Sequence, residues 1–216
     1  MTDGVVYELT FIRHGESVGN RENRLQGKAE FPLSENGREQ ARLLAERWKT
    51  EGRMFDYVIS SPLSRALETA QIIATRLGLP AIETDPIWME RDNGKRQGMT
   101  WEEVQQHFPE PDFLSMYDNV AETGEGDWAL YLRGGKALHK ILQRPPGRYL
   151  IASHGAILNL VFYSILGITP QPNSQGARFR LVNTAASTFY YYPAVHRWRV
   201  DVIGDYNHLQ AGTYFK

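Results

Sequence analysis

Arg13, His14 and Gly15 follow directly on an apolar run, and a much later run, RYLIASHG, ends in the same way at His154 and Gly155. In an open α/β sheet, ligands bind beyond the carboxyl ends of strands, so two histidines placed there can meet in one crevice. Two His-Gly pairs alone are weak, because loop histidines are commonplace. A third stretch, SSPLSRALETA, adds weight. Ser61 reads there as a helix N-cap with Pro62 at the first helical position, which puts Arg65 in a first turn whose N–H groups and dipole favour an anion. Two guanidinium groups and two imidazoles around one point describe a phosphate pocket. Guanidinium forks match phosphoryl oxygens, and a glycine at position 15 leaves no Cβ in the way of a tetrahedral anion.

A pocket of cations alone would bind phosphate and hold it; turnover also needs a nucleophile and a proton donor. Neutral imidazole can be the nucleophile, and neighbouring guanidinium charge disfavours the protonated ring of His14. Glu90, in IWMERDNGKRQG, is a candidate donor, although by itself it reads equally well as an exposed loop carboxylate. A P-loop is absent, because no G-x-x-x-x-G-K-[ST] occurs. A histidine-based metal site is disfavoured by the two arginines, which would repel the cation. No metal and no cofactor is expected.

The elements that must position these residues alternate. Val5 to Ile12 has the β-branched and aromatic content of a buried strand, and 33–51 follows as a helix with Ser34 as its cap. Phe55 to Ser60 is a second strand, the helix opened by Ser61 comes next, and 81–88 is extended. Thr100 and Glu103 form a capping box for a helix through His107. The segment 107–126, rich in Pro and Asp, reads as irregular; in and beside it Phe113, Met116, Tyr117 and Trp128 either line a lid over the site or fill a small satellite core. A helix over 127–142 is expected to be interrupted at Gly134 and Gly135. A strand at 149–153, a helix at 156–166 and β structure at 179–183, 187–192 and 198–203 close the chain. The result is an α/β fold, a three-layer α/β/α sandwich with a mostly parallel central sheet and an inserted lid-like segment. One domain over 1–216 is expected, with 91–135 as an insertion over the active site.

The chain has 216 residues, enough for one sizeable core. Its 24 Lys and Arg against 25 Asp and Glu leave a formal net charge of -1, so no global field draws nucleic acid or an anionic membrane. The absence of cysteine excludes disulfides, thiolate metal sites and Cys nucleophiles. No leader pattern and no run of about 18 apolar residues occurs, which reads as a soluble, cytoplasmic protein. Oligomeric state is open, a homodimer included.

The landmarks resemble the histidine phosphatase superfamily, the branch around phosphoglycerate mutase and its phosphatase relatives. RHGES with Asn20 is similar to that family's nucleophile motif, QG at Gln26 and Gly27 to its next landmark, and PLSENGREQA to its usual helix start. SSPLSRALETA and SHG match two more, in order. The resemblance implies that His14 becomes phosphohistidine, that Arg13, Arg65 and His154 hold the phosphoryl group, and that Asn20 and Gln26 complete the pocket. It gives Glu90 the acid and base role. The departures lie in the specificity region. Asn93 replaces the Tyr of mutases, the following insertion has no adjacent Arg pair, Arg96 and Gln97 stand where many phosphatases carry Trp-Glu, and Gly126 stands where they carry Ser after Gly-Glu. These features imply a phosphomonoester hydrolase acting on small phosphorylated metabolites. The alternatives are phosphoglycerate mutase-type transfer, for which only Arg91, Lys95 and Arg96 supply extra cations, and a catalytically silent relative that binds a phospho-ligand or a protein partner.

Overall fold

The computed structural model describes residues 5–209. Strands β1 (Tyr7–Arg13), β2 (Tyr57–Ser60), β3 (Ile82–Thr84) and β4 (Arg148–Ser153) pair in parallel, while β5 (Ala186–Tyr192) runs antiparallel to β1 and β6 (Arg197–Asp205) antiparallel to β5. The sheet order is β3-β2-β4-β1-β5-β6. Period-2 alternation along the strands splits the core in two. Ile12, Val58, Leu150 and Ala152 face helices α2 (Glu35–Thr50) and α3 (Ser64–Leu77). Leu9, Phe11, Tyr149 and Ile151 face α5 (Asp127–Leu142) and α6 (Gly155–Leu166) on the other side. The short helices α1 (Val18–Arg21) and α4 (Trp101–His107) lie in connections. This is the expected three-layer sandwich. Among the described residues no helix is long and apolar enough to cross a membrane.

Local signals placed α2 and α4 well. The Ser34 side chain accepts from Gly37 N at 3.0 Å, and Thr100 and Glu103 exchange the two bonds of a capping box. The helix over 127–142 is not interrupted. A Cβ at Gly134 would lie 3.2 Å from the Val161 side chain, so this glycine lets α5 and α6 approach closely. The expected strand at 179–183 is irregular, because its backbone serves the site described below. The expected insertion 91–135 divides in two. Residues 91–126 hold α4 and irregular chain, whereas 127–135 belong to α5 in the outer layer.

Gly15 has a different reason from the one its neighbours suggest. A Cβ there would sit 2.4 Å from the Gly37 carbonyl oxygen, and a Cβ on Gly37 would sit 2.0 Å from that of Glu16. The two glycines let the loop leaving β1 press against the first turn of α2. Clearance for a ligand does not decide Gly15.

Candidate active site

β1 and β4 are neighbours, and the ladder continues one residue beyond them through His14 N to Ser153 O at 2.9 Å. His14 and His154 therefore emerge side by side, with ring centroids 5.1 Å apart. His14 Nδ1 lies 2.7 Å from the Gly15 carbonyl oxygen. A carbonyl only accepts, so Nδ1 carries the proton and Nε2 keeps its lone pair. His154 is held through Nε2, 2.7 Å from the Ser61 hydroxyl, and its Nδ1 has no partner.

Arg13 and Arg65 are each secured by their terminal nitrogens. Arg13 donates to Leu181 O at 2.7 Å, and Arg65 donates to Ala29 O at 2.9 Å and Gly27 O at 2.7 Å. In both, Nε is buried with no partner. Arg13 Nε, Arg65 Nε and His154 Nδ1 are thus buried nitrogens without partners, on three residues whose charge or ring bears on His14. Buried polar atoms are nearly always paired, so three unpaired ones close to His14 set this cluster apart. It opens into a cavity of about 560 Å³ whose wall includes Arg13, His14, Asn20, Gln26, Arg65 and Glu90.

The start of α3 differs from expectation. Its N-cap is Leu63 and not Ser61, and the Leu63 side chain makes no capping bond. Ser61 instead bonds His154 and accepts from Leu63 N, while the Glu30 carboxylate accepts from Ser64 N at 3.1 Å. Ser64 N, the first N–H of α3, is therefore committed, and Arg65, still in the first turn, brings its side chain to the cavity wall.

Glu90 is anchored, not loose. Its Oε1 accepts from Arg91 N at 2.7 Å and Ile157 N at 3.2 Å, and its Oε2 accepts from Ala156 N at 3.1 Å, so the carboxylate caps α6 beside His154. It lies close enough to both Arg13 and Arg65 to favour their charged forms. Asn20 Oδ1 accepts from Ser17 N and from Asn183 Nδ2, which leaves its amide NH2 for the cavity. Gln26 accepts from the Ser17 hydroxyl at 2.7 Å.

Several supporting residues escaped sequence reasoning. Arg133 on α5 grips Glu125 with two bonds, at 2.8 and 2.7 Å, and donates to the carbonyls of Ile87, Met89 and Glu90, fixing the chain that carries Glu90. Asn183 Nδ2 donates to the His14 carbonyl, and Thr184 N to those of Arg13 and His14. Thr184 has φ 59°, rare for a β-branched residue, and its hydroxyl bonds Asn183 O and His208 Nε2, each at 2.7 Å. No local pattern announces any of these contacts. Phe113, Met116, Tyr117 and Trp128 do not line the cavity; Tyr117 stacks edge-on against Trp128, a small cluster outside it.

Burial first, then Arg65 and Arg13, hold the His14 ring well below its ordinary value, and burial followed by Arg65 does the same for His154. Burial pushes His208 down to about 4. All three are neutral at pH 7, whereas the unfolded chain would protonate them near pH 6.5. Between pH 6.5 and 5 the unfolded state binds more protons, so stability falls on acidification, by up to about 1.4 kcal/mol per pH unit for each histidine. Urea midpoints at pH 6.5 and 5.2 check this. A flat profile would contradict it, and His208→Gln should remove one histidine's share of the slope.

Residues 9–205 match the family model described as histidine phosphatase superfamily (branch 1). The chain is 36% identical over 200 residues to the uncharacterized phosphatase PhoE of Bacillus subtilis, covering 92% of this chain and 93% of that one. It is 32% identical to phosphoglycerate mutase-like protein 4 of Arabidopsis thaliana, covering 97% and 90%. A phosphoserine phosphatase variant from Entamoeba histolytica, solved with phosphoserine, superposes with a TM-score of 0.77 at 27% identity, covering 94% of this chain and 100% of that one.

Proposed function

The chain belongs to the histidine phosphatase superfamily, branch 1, and from that premise we propose that it hydrolyses small phosphorylated metabolites through a phosphohistidine at His14. One observation carries this reading: His14, its Nε2 bare, shares a cavity wall with the Arg13 and Arg65 guanidinium groups and the Glu90 carboxylate, the groups needed to attack, bind and protonate a phosphate ester. Nε2 attacks phosphorus, the bond to the ester oxygen breaks, and Glu90 gives that oxygen its proton. Water then attacks phosphorus, Glu90 takes a proton from it, and the N–P bond breaks to release phosphate. Arg13 and Arg65 supply the positive charge that a metal would otherwise bring, burial lowering Arg65 only to about 10, so it stays cationic at neutral pH. Asn20 and Gln26 orient the remaining oxygens. Among similar proteins, the phosphatase and phosphoserine phosphatase names support hydrolysis of small phosphate esters. Hydrolysis is favoured over mutase transfer because two of the extra cations are occupied, Arg91 by Asp127 and Lys95 by Glu122.

Phosphate release from a panel of phosphorylated metabolites in the presence of EDTA tests the reading; no release from any of them would refute it. Glu90→Gln in the same assay should lower turnover of alkyl phosphates by about 10²- to 10⁴-fold. p-Nitrophenyl phosphate, whose leaving group hardly needs a proton, should lose far less. Equal losses would assign Glu90 only its capping contacts with α6.

A further inference from the structure

His208 is buried and neutral at pH 7, yet it does not line the cavity. A turn at the end of β6 presents it. Asp205 accepts from Asn207 N at 3.0 Å through one carboxylate oxygen and pairs with Arg47 of α2 at 2.7 Å through the other. Leu209 N closes the turn on Tyr206 O at 2.9 Å. The ring Nε2 then meets the Thr184 hydroxyl at 2.7 Å, while Nδ1 has no partner among the described residues. A buried imidazole with one nitrogen unpaired carries a desolvation cost that a leucine in its place would not. Packing alone does not account for a histidine here.

The direction of the bond to Thr184 follows from the hydroxyl's single hydrogen. The Asn183 carbonyl, 2.7 Å away, can only accept, so it takes that hydrogen. Toward His208 the hydroxyl oxygen is therefore an acceptor, Nε2 carries the ring proton, and Nδ1 keeps the bare lone pair. Thr184 is the residue at φ 59°, so the bond from His208 secures a conformation that a β-branched residue rarely adopts. That conformation bears directly on the site. Thr184 N donates to the Arg13 carbonyl at 3.0 Å and the His14 carbonyl at 3.3 Å. The preceding Asn183 Nδ2 donates to the His14 carbonyl at 3.0 Å and to Asn20 Oδ1 at 3.2 Å.

We propose that His208 is a positioning residue for the phosphoryl transfer: by donating to Thr184 it locks the turn at 183–184, and that turn fixes the backbone of His14 and the side chain of Asn20. The proposal rests on His14 as the nucleophile. Arg65 is secured elsewhere, on the carbonyls of Gly27 and Ala29, so His208 governs the rate more than the affinity for phosphate.

Two replacements separate this role from packing. His208→Leu fills the space without a donor, and His208→Gln returns an N–H at the reach of Nε2. With phosphorylation followed by rapid quench, His208→Leu should be slower by about 10- to 100-fold, the scale of a small misplacement of reacting groups. KM and the affinity for inorganic phosphate should move much less, and His208→Gln should recover most of the rate. On the parent protein with isotope-labelled histidine, long-range proton–nitrogen NMR correlations should show Nε2 of His208 protonated and Nδ1 bare. The Thr184 amide should exchange with solvent faster in His208→Leu than in the parent or in His208→Gln. A proton on Nδ1, an unchanged phosphorylation rate in His208→Leu, or equal losses in the two variants would overturn the proposal. Absence of phosphohistidine in the parent would overturn the reading of His14 instead, and the Thr184 exchange rate would still decide whether His208 holds the turn.

Discussion

His14→Ala is expected to lower phosphate release on the order of 10⁴- to 10⁶-fold, the scale seen when a covalent nucleophile is removed from a site that works as a unit. The expectation follows from two distances. With Nδ1–H given to the Gly15 carbonyl at 2.7 Å, Nε2 is the only lone pair of that ring that can reach phosphorus. His154 lies beside it with its own Nε2 engaged by the Ser61 hydroxyl at 2.7 Å. Binding of inorganic phosphate should change little, because the side chains of Arg13 and Arg65 remain. Quenching the active enzyme in mid-turnover with denaturant and mapping the acid-labile phosphate by mass spectrometry should place it on Nε2 of His14. Label on His154 would exchange the two roles, and no label under rapid quench would point to direct attack by water.

Arg65→Ala should cost about 10³- to 10⁵-fold in kcat, the worth of an arginine that neutralises charge on a transferring phosphoryl group. Its effect on the fold should be much smaller. The replacement orphans the carbonyls of Gly27 and Ala29, at about 1–3 kcal/mol for a buried group, but it also relieves the burial of a cation beside Arg13. Activity and stability should therefore part company, which thermal melts on the purified variant can show. Added methylguanidine should restore part of the rate to Arg65→Ala, since the space left is shaped for that group. A loss of under tenfold would mean that Arg13 alone carries the charge. Phosphate should raise the melting temperature of the parent protein and leave that of Arg65→Ala nearly unmoved.

The residues proposed to act at the centre could be picked out because each sits where an element begins or ends. A strand running into Arg13 and His14, a strand running into His154, and a helix whose second residue is Arg65 are local events, readable from apolar runs and their breaks. The capping box at Thr100 and Glu103 is likewise written within four residues. What the local pattern does not carry is the long-range contacts. Glu90 reads as a loop carboxylate until the N-terminus of α6 is brought to it, and Arg133 acquires its part only when Glu125 and the carbonyls of 87–90 converge on it. The stretch 179–183 has strand composition, yet Arg13 takes the Leu181 carbonyl and Thr184 turns the chain into the left-handed region. Pairing with the binding site replaced pairing with the sheet. Ser61, a plausible cap from its neighbours, is used by His154, some 90 residues away in the chain.

Thr184 carries a cost that has consequences for how this chain can change over generations. A β-branched residue at φ 59° sits in a sparsely populated conformation worth roughly 1–3 kcal/mol of strain. Glycine or asparagine would relieve that strain, but each would leave His208 Nε2 without its buried partner, a cost of about 1–3 kcal/mol. The hydroxyl that would vanish is the one joining His208 to the loop that holds the His14 carbonyl. Position 184 is thus held by two terms of similar size, so a library screened by heat should keep threonine as long as His208 stays and release it only together with a replacement there.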